Sequence, residues 1–266
     1  MRSDRIDIYT FSGTGNTLRV VDAAADEFRR QGVSSVSVYR LETAEPLGVD
    51  LKAMLGLAFP VAAQSTYPFV WDFIEALPEA DGTPVFMIDT LHAFSGGIVG
   101  PLRRLLESKG YRPVGAVEIR MPSNFFPGKV NEASNRSKRD QGKFLAREFA
   151  RRVMTGEAWW RRLPGVSDAM CWVSRRRFLW RMMRRFFALQ VDDSKCISCG
   201  LCADLCPVDN ITVGRSAELG DRCQTCMRCI TYCPQGAIFS PRRKYPTKYC
   251  AVDAARLLGE RETDAE

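Results

Sequence analysis

Along the first 121 residues, short apolar runs alternate with polar, amphipathic stretches. RIDIYTF (5–11) alternates apolar and polar positions; VSVYRL (36–41), LGLAFP (55–60), PVFMID (84–89) and VGAVEIRM (114–121) follow, each of strand length. Helical spacing appears between them, first in VVDAAADEFRRQG. Alternating strands and helices predict an open parallel sheet covered on both faces. KVNEASNRSKRDQGKFLAREFARRVMTGEAWW then reads as a helix leading out of this domain.

Helical spacing resumes after Pro164. In SRRRFLWRMMRRFFALQ, residues Leu179, Met182, Met183, Phe186 and Phe187 form an apolar stripe, with Arg177, Arg181, Arg184 and Arg185 off it. Two readings stay open. The helix packs the domains together with its arginines solvated, or it is a surface helix for an acidic partner or anionic lipid.

Beyond residue 195 the pattern is governed by cysteine. Cys196, Cys199, Cys202 and Cys206, then Cys223, Cys226, Cys229 and Cys233, repeat one spacing 27 positions apart, each set ending in proline, Pro207 or Pro234. C-x2-C-x2-C-x3-C-P is the bacterial run for cubane iron–sulfur clusters, in which the fourth cysteine ligates the other cluster. Cys196, Cys199, Cys202 and Cys233 are therefore assigned to one [4Fe-4S] cluster, and Cys223, Cys226, Cys229 and Cys206 to the second. The internal repeat predicts two similar half-units about a pseudo-twofold axis. Zinc sites favour two C-x2-C pairs or add histidine, and the chain's single histidine, His92, lies far away in sequence.

With 266 residues and 45% hydrophobic content, one large and one small domain fit the chain. The expected division is 1–155, a linker at 156–190, a cluster domain at 191–250 and a tail at 251–266, with the tail from Tyr245 onward wrapping back. The charged N-terminus and the absence of an 18-residue apolar stretch argue against export or membrane spanning, and predict a cytoplasmic protein. Cys171 and Cys250 read as ordinary thiols. The net charge of +7 is concentrated in residues 129–190, which hold sixteen Arg or Lys against five Asp or Glu. Eight of these charges, including Arg161 and Arg162, are interleaved with Trp and Phe on an amphipathic helix, and nucleic acid is not the expected ligand.

SGTGNT lies on the first strand-to-helix turn. Amides at a helix start favour phosphate; Ser12, Thr14, Asn16 and Thr17 add uncharged donors, and Gly13 and Gly15 allow close approach. There is no Walker lysine and no G-x-G-x-x-G. Alone, such a turn is also an ordinary way to begin a helix.

The turn closely resembles the FMN-phosphate loop of flavodoxins, and the strand series resembles their fold, an α/β doubly wound parallel sheet of order 2-1-3-4-5. In that order FMN sits outside the carboxyl ends of the strands. The resemblance implies two further flavin loops. FPVAAQSTYPFVW contains Pro60, Val61 and Tyr67, with Tyr67 either a ring-stacking partner or a half-buried loop aromatic. TLHAFSGG contains Thr90, Leu91, His92, Phe94, Gly96 and Gly97; His92 either faces the flavin or is solvated. Asn124 in MPSNFFP either reaches the site or caps its turn.

Taken whole, the chain resembles flavodoxin–ferredoxin fusions of anaerobic bacteria and archaea, on FSGTGNT, FPV, MPSNFF, CISCGLCADLCPVDNI and CQTCMRCITYCPQGAI. That implies FMN and a small α+β unit with two [4Fe-4S] clusters, passing electrons to and from redox partner proteins. Ferredoxins are commonly acidic, whereas residues 191–250 hold eight basic and six acidic residues. The partners expected here have an acidic docking face, with peripheral membrane contact as the rival. A flavin-dependent reductase of a small organic substrate is the competing function, disfavoured because Asp89, His92 and Tyr67 are the only proton-transfer groups near the loops. A third class is a binding module whose clusters only hold the fold.

Overall fold

The computed structural model describes residues 4–123, 131–160, 165–242 and 248–259; Asn124, Arg161, Arg162 and Tyr245 lie outside the described residues. The chain forms two compact units, the first from segments 4–12, 16–122 and 132–175, the second from residues 13–15 and chiefly from Arg176 onward.

In the first unit, strands β1 (Arg5–Thr10), β2 (Ser35–Arg40), β3 (Met54–Pro60), β4 (Pro84–Leu91) and β5 (Arg112–Arg120) form one sheet in the order β2-β1-β3-β4-β5. All pairs are parallel, the flavodoxin-like arrangement expected. A central parallel strand is covered on both faces and needs a continuous apolar run, which MLGLAFP supplies: every β3 residue except Pro60 is buried. Register aligns the carboxyl ends, pairing Thr10 with Ala58 and Pro60 with Thr90. The loops after β1, β3 and β4 therefore leave the sheet side by side.

Helices α1 (Asn16–Arg30), α2 (Pro68–Ala76), α3 (Val99–Ser108), α4 (Glu132–Thr155) and α5 (Val166–Ser174) complete this unit. Helix α4 does not lead out of the domain as its polarity suggests. Its Ala146, Phe149, Ala150 and Val153 are buried in one cluster with Val20, Ala24 and Phe28 of α1. Buried Glu27 fastens this contact by accepting from Arg151 Nε (2.8 Å) and Gln31 Nε2 (2.9 Å). These bonds, Arg151 foremost, hold its carboxyl below the usual range.

The second unit contains α6 (Arg177–Phe187), β6 (Gln190–Val191), α7 (Leu201–Asp204), β7 (Ile211–Val213), β8 (Ala217–Leu219), α8 (Arg228–Tyr232), β9 (Ile238–Phe239) and α9 (Ala254–Leu258). Two small antiparallel pairs, β6–β9 and β7–β8, frame it. The sequence repeat is written into the backbone. Left-handed φ values occur at Ser198 and Thr225, at Gly200 and Met227, and at Asp209 and Gly236, each pair 27 residues apart. Described tail residues pack back within this unit, where Val252 accepts from the Tyr232 hydroxyl (2.8 Å).

Helix α6 corrects the expected stripe. Trp180 and Phe187 are its buried residues, while Met182 and Phe186, expected inside, are exposed. The buried line is instead drawn by Phe187 joining Met227, Ile230 and Ile238. Among the described residues, no helix is long and apolar enough to cross a membrane.

Candidate functional site

At the carboxyl end of the sheet the first loop is buried and uncharged: Ser12, Thr14 and Thr17 are at most 4% exposed. No acidic residue sits in the first turn of α1, so the amides at its start meet no opposing charge. The Thr10 hydroxyl, at the strand end just before this loop, is buried without a hydrogen-bond partner. A buried orphan hydroxyl next to a helix start fits a phosphate group. Gly15 has φ +98°, and a Cβ there would lie 2.6 Å from Val252 Cγ2, so no other residue is accommodated. The Thr14 carbonyl accepts from the Ala251 amide (2.7 Å). Asn16 Nδ2 donates to the Pro122 carbonyl (2.8 Å), so part of its donor capacity ties the first loop to the end of β5.

Hydrogen bonds join the ends of the three loops. The Thr17 and Thr90 hydroxyls are 2.8 Å apart, and the Val61 amide donates to Thr90 O (2.8 Å). Tyr67 is buried, edge-on to Phe11 (5.3 Å) and stacked on Phe69 (5.9 Å). Pro60 and Val61 are half-buried at the strand end, and Leu91 is buried.

The rest of the third loop behaves differently. Amides of Gly96 and Gly97 both donate to the Gln64 carbonyl, at 3.1 and 2.7 Å. A Cβ at Gly97 would lie 2.7 Å from the Cys171 amide nitrogen, and one at Gly96 would strike Met170. These glycines thus admit α5 against the loop, and their amides are committed to the protein. Ala63 and Gln64, both at positive φ, form the tight turn that presents the Gln64 carbonyl. His92 and Phe94 are exposed, Phe94 by 62%. Desolvation of the His92 ring, then Lys138, lowers its pKa, so it is neutral at pH 7.

Asp89 is fully buried, and neither carboxyl oxygen has a hydrogen-bond partner. Burial, then the charge of Glu118 on β5, raises its pKa well above the ordinary range. The folded chain keeps a proton that the unfolded chain releases, so stability falls as pH rises above the unfolded value toward the folded one. Asp89→Asn, neutral throughout, is expected to match the parent near pH 4 and exceed it increasingly up to pH 8. Urea midpoints across that range measure this; parallel midpoints would show an Asp89 carboxylate ionised in the fold.

In the second unit the cysteines group across the repeat. One cavity is lined by Cys196, Cys199, Cys202 and Cys233, the other by Cys206, Cys223, Cys226 and Cys229. The left-handed residues curl each C-x2-C-x2-C segment around its cavity, and α7 or α8 then carries the chain toward the other. Amides face sulfur in matched positions: Asn210 N donates to Cys206 Sγ and Ala237 N to Cys233 Sγ, both 3.2 Å. Burial pushes the Cys226 thiol up to about 12, opposed chiefly by Arg228. Such thiols ionise only when a cation replaces the proton.

Arg228 is the residue that motif reading passes over. It is 2% exposed between two ligand-type cysteines and donates from NH1 to Leu205 O (3.1 Å). Its signal is a charged residue inside CMRC, where burial is not legible from spacing.

A family model described as a 4Fe-4S binding domain matches residues 189–212, and a second of the same description matches 220–236. No curated protein matches the chain. Among solved structures, the chain is similar to rubredoxin oxygen:oxidoreductase from Desulfovibrio gigas (14% identity, 59% of this chain and 38% of that one, TM-score 0.40). It is also similar to two-electron-reduced Megasphaera elsdenii flavodoxin (20%, 53% and 98%, 0.39) and to a mutant flavodoxin from Pseudomonas aeruginosa (17%, 57% and 99%, 0.41). The chain spans under two fifths of the D. gigas protein.

Proposed function

We propose that this chain, with two 4Fe-4S binding segments following a sheet of flavodoxin order, is an electron-transfer protein that holds FMN at its first strand-to-helix turn. Its partners are redox proteins with an acidic docking face, met in a reducing cytoplasm. The observation that carries the flavin part is the buried, uncharged donor set of Ser12, Thr14 and Thr17 beside the orphan Thr10 hydroxyl. A bound flavin supplies two-electron chemistry, where each cubane passes one electron. The chain's own contribution is positional. Loop one would hold the phosphate, and the aromatic group Phe11–Tyr67–Phe69 closes an apolar wall at the strand ends.

A carrier is favoured over a substrate reductase. His92 is neutral and exposed, and Asp89 is sealed inside, so neither is a proton donor poised over an open face. The four cysteines around each cavity support crossed ligation, Cys233 serving the first set and Cys206 the second.

Anaerobic purification followed by cofactor extraction is expected to release one FMN per chain. In flavin-fluorescence titration of the apoprotein, Thr14→Ala with Thr17→Ala should weaken binding by a few kcal/mol, as hydrogen bonds to a charged group contribute about 1.5–3 kcal/mol each. FAD, or no flavin after reconstitution, would sink the reading.

A further inference from the structure

The second unit presents a surface that the functions above leave unused. On α6, Phe178, Met182 and Phe186 recur every fourth residue and are 72%, 50% and 48% exposed. Arg177, Arg181 and Arg185 form a parallel exposed row, and the helix contains no acidic residue. Single exposed apolar side chains are ordinary, whereas three in line on one helix edge mark an interaction site.

The buried side of the helix fixes what this surface adjoins. Phe187, Arg184 and Arg185 line the cavity of Cys206, Cys223, Cys226 and Cys229, and the charge of Arg184 acts on Cys223. The cavity of the other cysteine set has no arginine among its described lining residues, its cation being Lys195. Among the described helices, α6 is thus the one that joins an apolar, arginine-flanked face to a redox site.

We propose that the Phe178–Met182–Phe186 row and its arginines form the docking surface for an acidic redox protein, making the second cysteine set the port for electrons. The proposal rests on the electron-transfer reading and names its partner surface. Phe, Met and Arg are the residues enriched at protein interfaces, and guanidinium pairs with carboxylate bidentately. The fitting partner has an apolar centre rimmed by Asp and Glu. Anionic lipid would also match the pattern, but headgroups exchange no electrons with the site that this helix walls. A reduced cluster held by Cys206, Cys223, Cys226 and Cys229 would supply one electron, and the partner's oxidised cofactor would gain it.

The test uses the full-length holoprotein, reduced anaerobically with dithionite and desalted, mixed with oxidised acidic flavodoxin as probe. Double reversal of Arg177 and Arg181 to Glu, which leaves the cavity-lining Arg185 in place, should slow flavodoxin reduction roughly tenfold at low salt and less than about twofold at 0.5 M, where the screening length is only a few ångströms. Phe178→Ser with Met182→Ser should slow it at both salt levels, with iron content unchanged. Carbene footprinting of the unaltered protein should show Phe178 and Met182 shielded in the complex. Unchanged rates in both variants, or shielding at exposed Ile197 beside the first set, would overturn the proposal. So would unaltered electron transfer combined with loss of binding to phosphatidylserine vesicles, which would assign the surface to lipid. Failure of dithionite to bleach the iron–sulfur absorbance would instead reject the electron-transfer reading itself.

Discussion

Replacing Cys206 by serine is expected to empty the site of Cys223, Cys226 and Cys229, the more distant set in sequence, and to spare Cys196, Cys199 and Cys202. The two cavities each gather three cysteines from one segment and one from the other. Loss of a ligand should therefore cross the repeat, leaving about four of the roughly eight irons that two cubanes contain. Anaerobic alkylation followed by mass spectrometry reads the outcome directly. Cys223, Cys226 and Cys229 should become labelled, while Cys196, Cys199, Cys202 and Cys233 stay protected. The reverse labelling would establish that each run holds its own cluster.

The second large effect is expected at Arg228. Arg228 is buried and lines the cavity of Cys206, Cys223, Cys226 and Cys229, and a reduced cluster held there by four thiolates would be strongly negative. A positive charge buried at this site would stabilise the reduced state, because its attraction for the added electron is screened less than in water. Arg228→Leu should lower the potential of the second cluster in a spectroscopic redox titration, by on the order of 60 mV for each ~1.4 kcal/mol lost. Arg228→Lys should restore much of it, unless loss of the bond to Leu205 O disturbs assembly. An unchanged potential in the leucine variant would mean that water already screens this charge.

The five strands were legible within two residues: β3 and β4, buried on both faces, leave nearly continuous apolar runs, while the partly buried edge strands β2 and β5 still carry enough apolar positions to show. Eight cysteines at fixed spacing were legible because ligand geometry constrains the chain locally. The path of α4 was not. Its exposed charges dominate its composition, and only the narrow line Ala146–Phe149–Ala150–Val153 reports that it lies on α1. Nor could sequence show that the paired glycines of the third loop serve α5, a segment more than seventy residues away. The side of α6 that turns inward was hidden for a related reason. A helix with large apolar residues nearly all round offers several stripes, and the core formed by Met227, Ile230 and Ile238 selects the one through Phe187.

Gly200 and Met227 occupy equivalent positions with the same left-handed backbone, at φ +81° and +70°. For Gly200 this conformation is free of steric cost, and a Cβ there would meet only Asp204 Oδ2 at 3.9 Å. For Met227 it costs roughly 1–2 kcal/mol, yet its side chain is 3% exposed in the core, a burial that contributes roughly 1.5–3 kcal/mol. The halves therefore share a backbone path but not an interior, and one can no longer substitute for the other. A chain carrying two copies of the first segment would retain both ligand loops and lose the side chain that seats α6. A chain carrying two copies of the second would place a methionine at residue 200 in a conformation that costs energy, with no core to receive it.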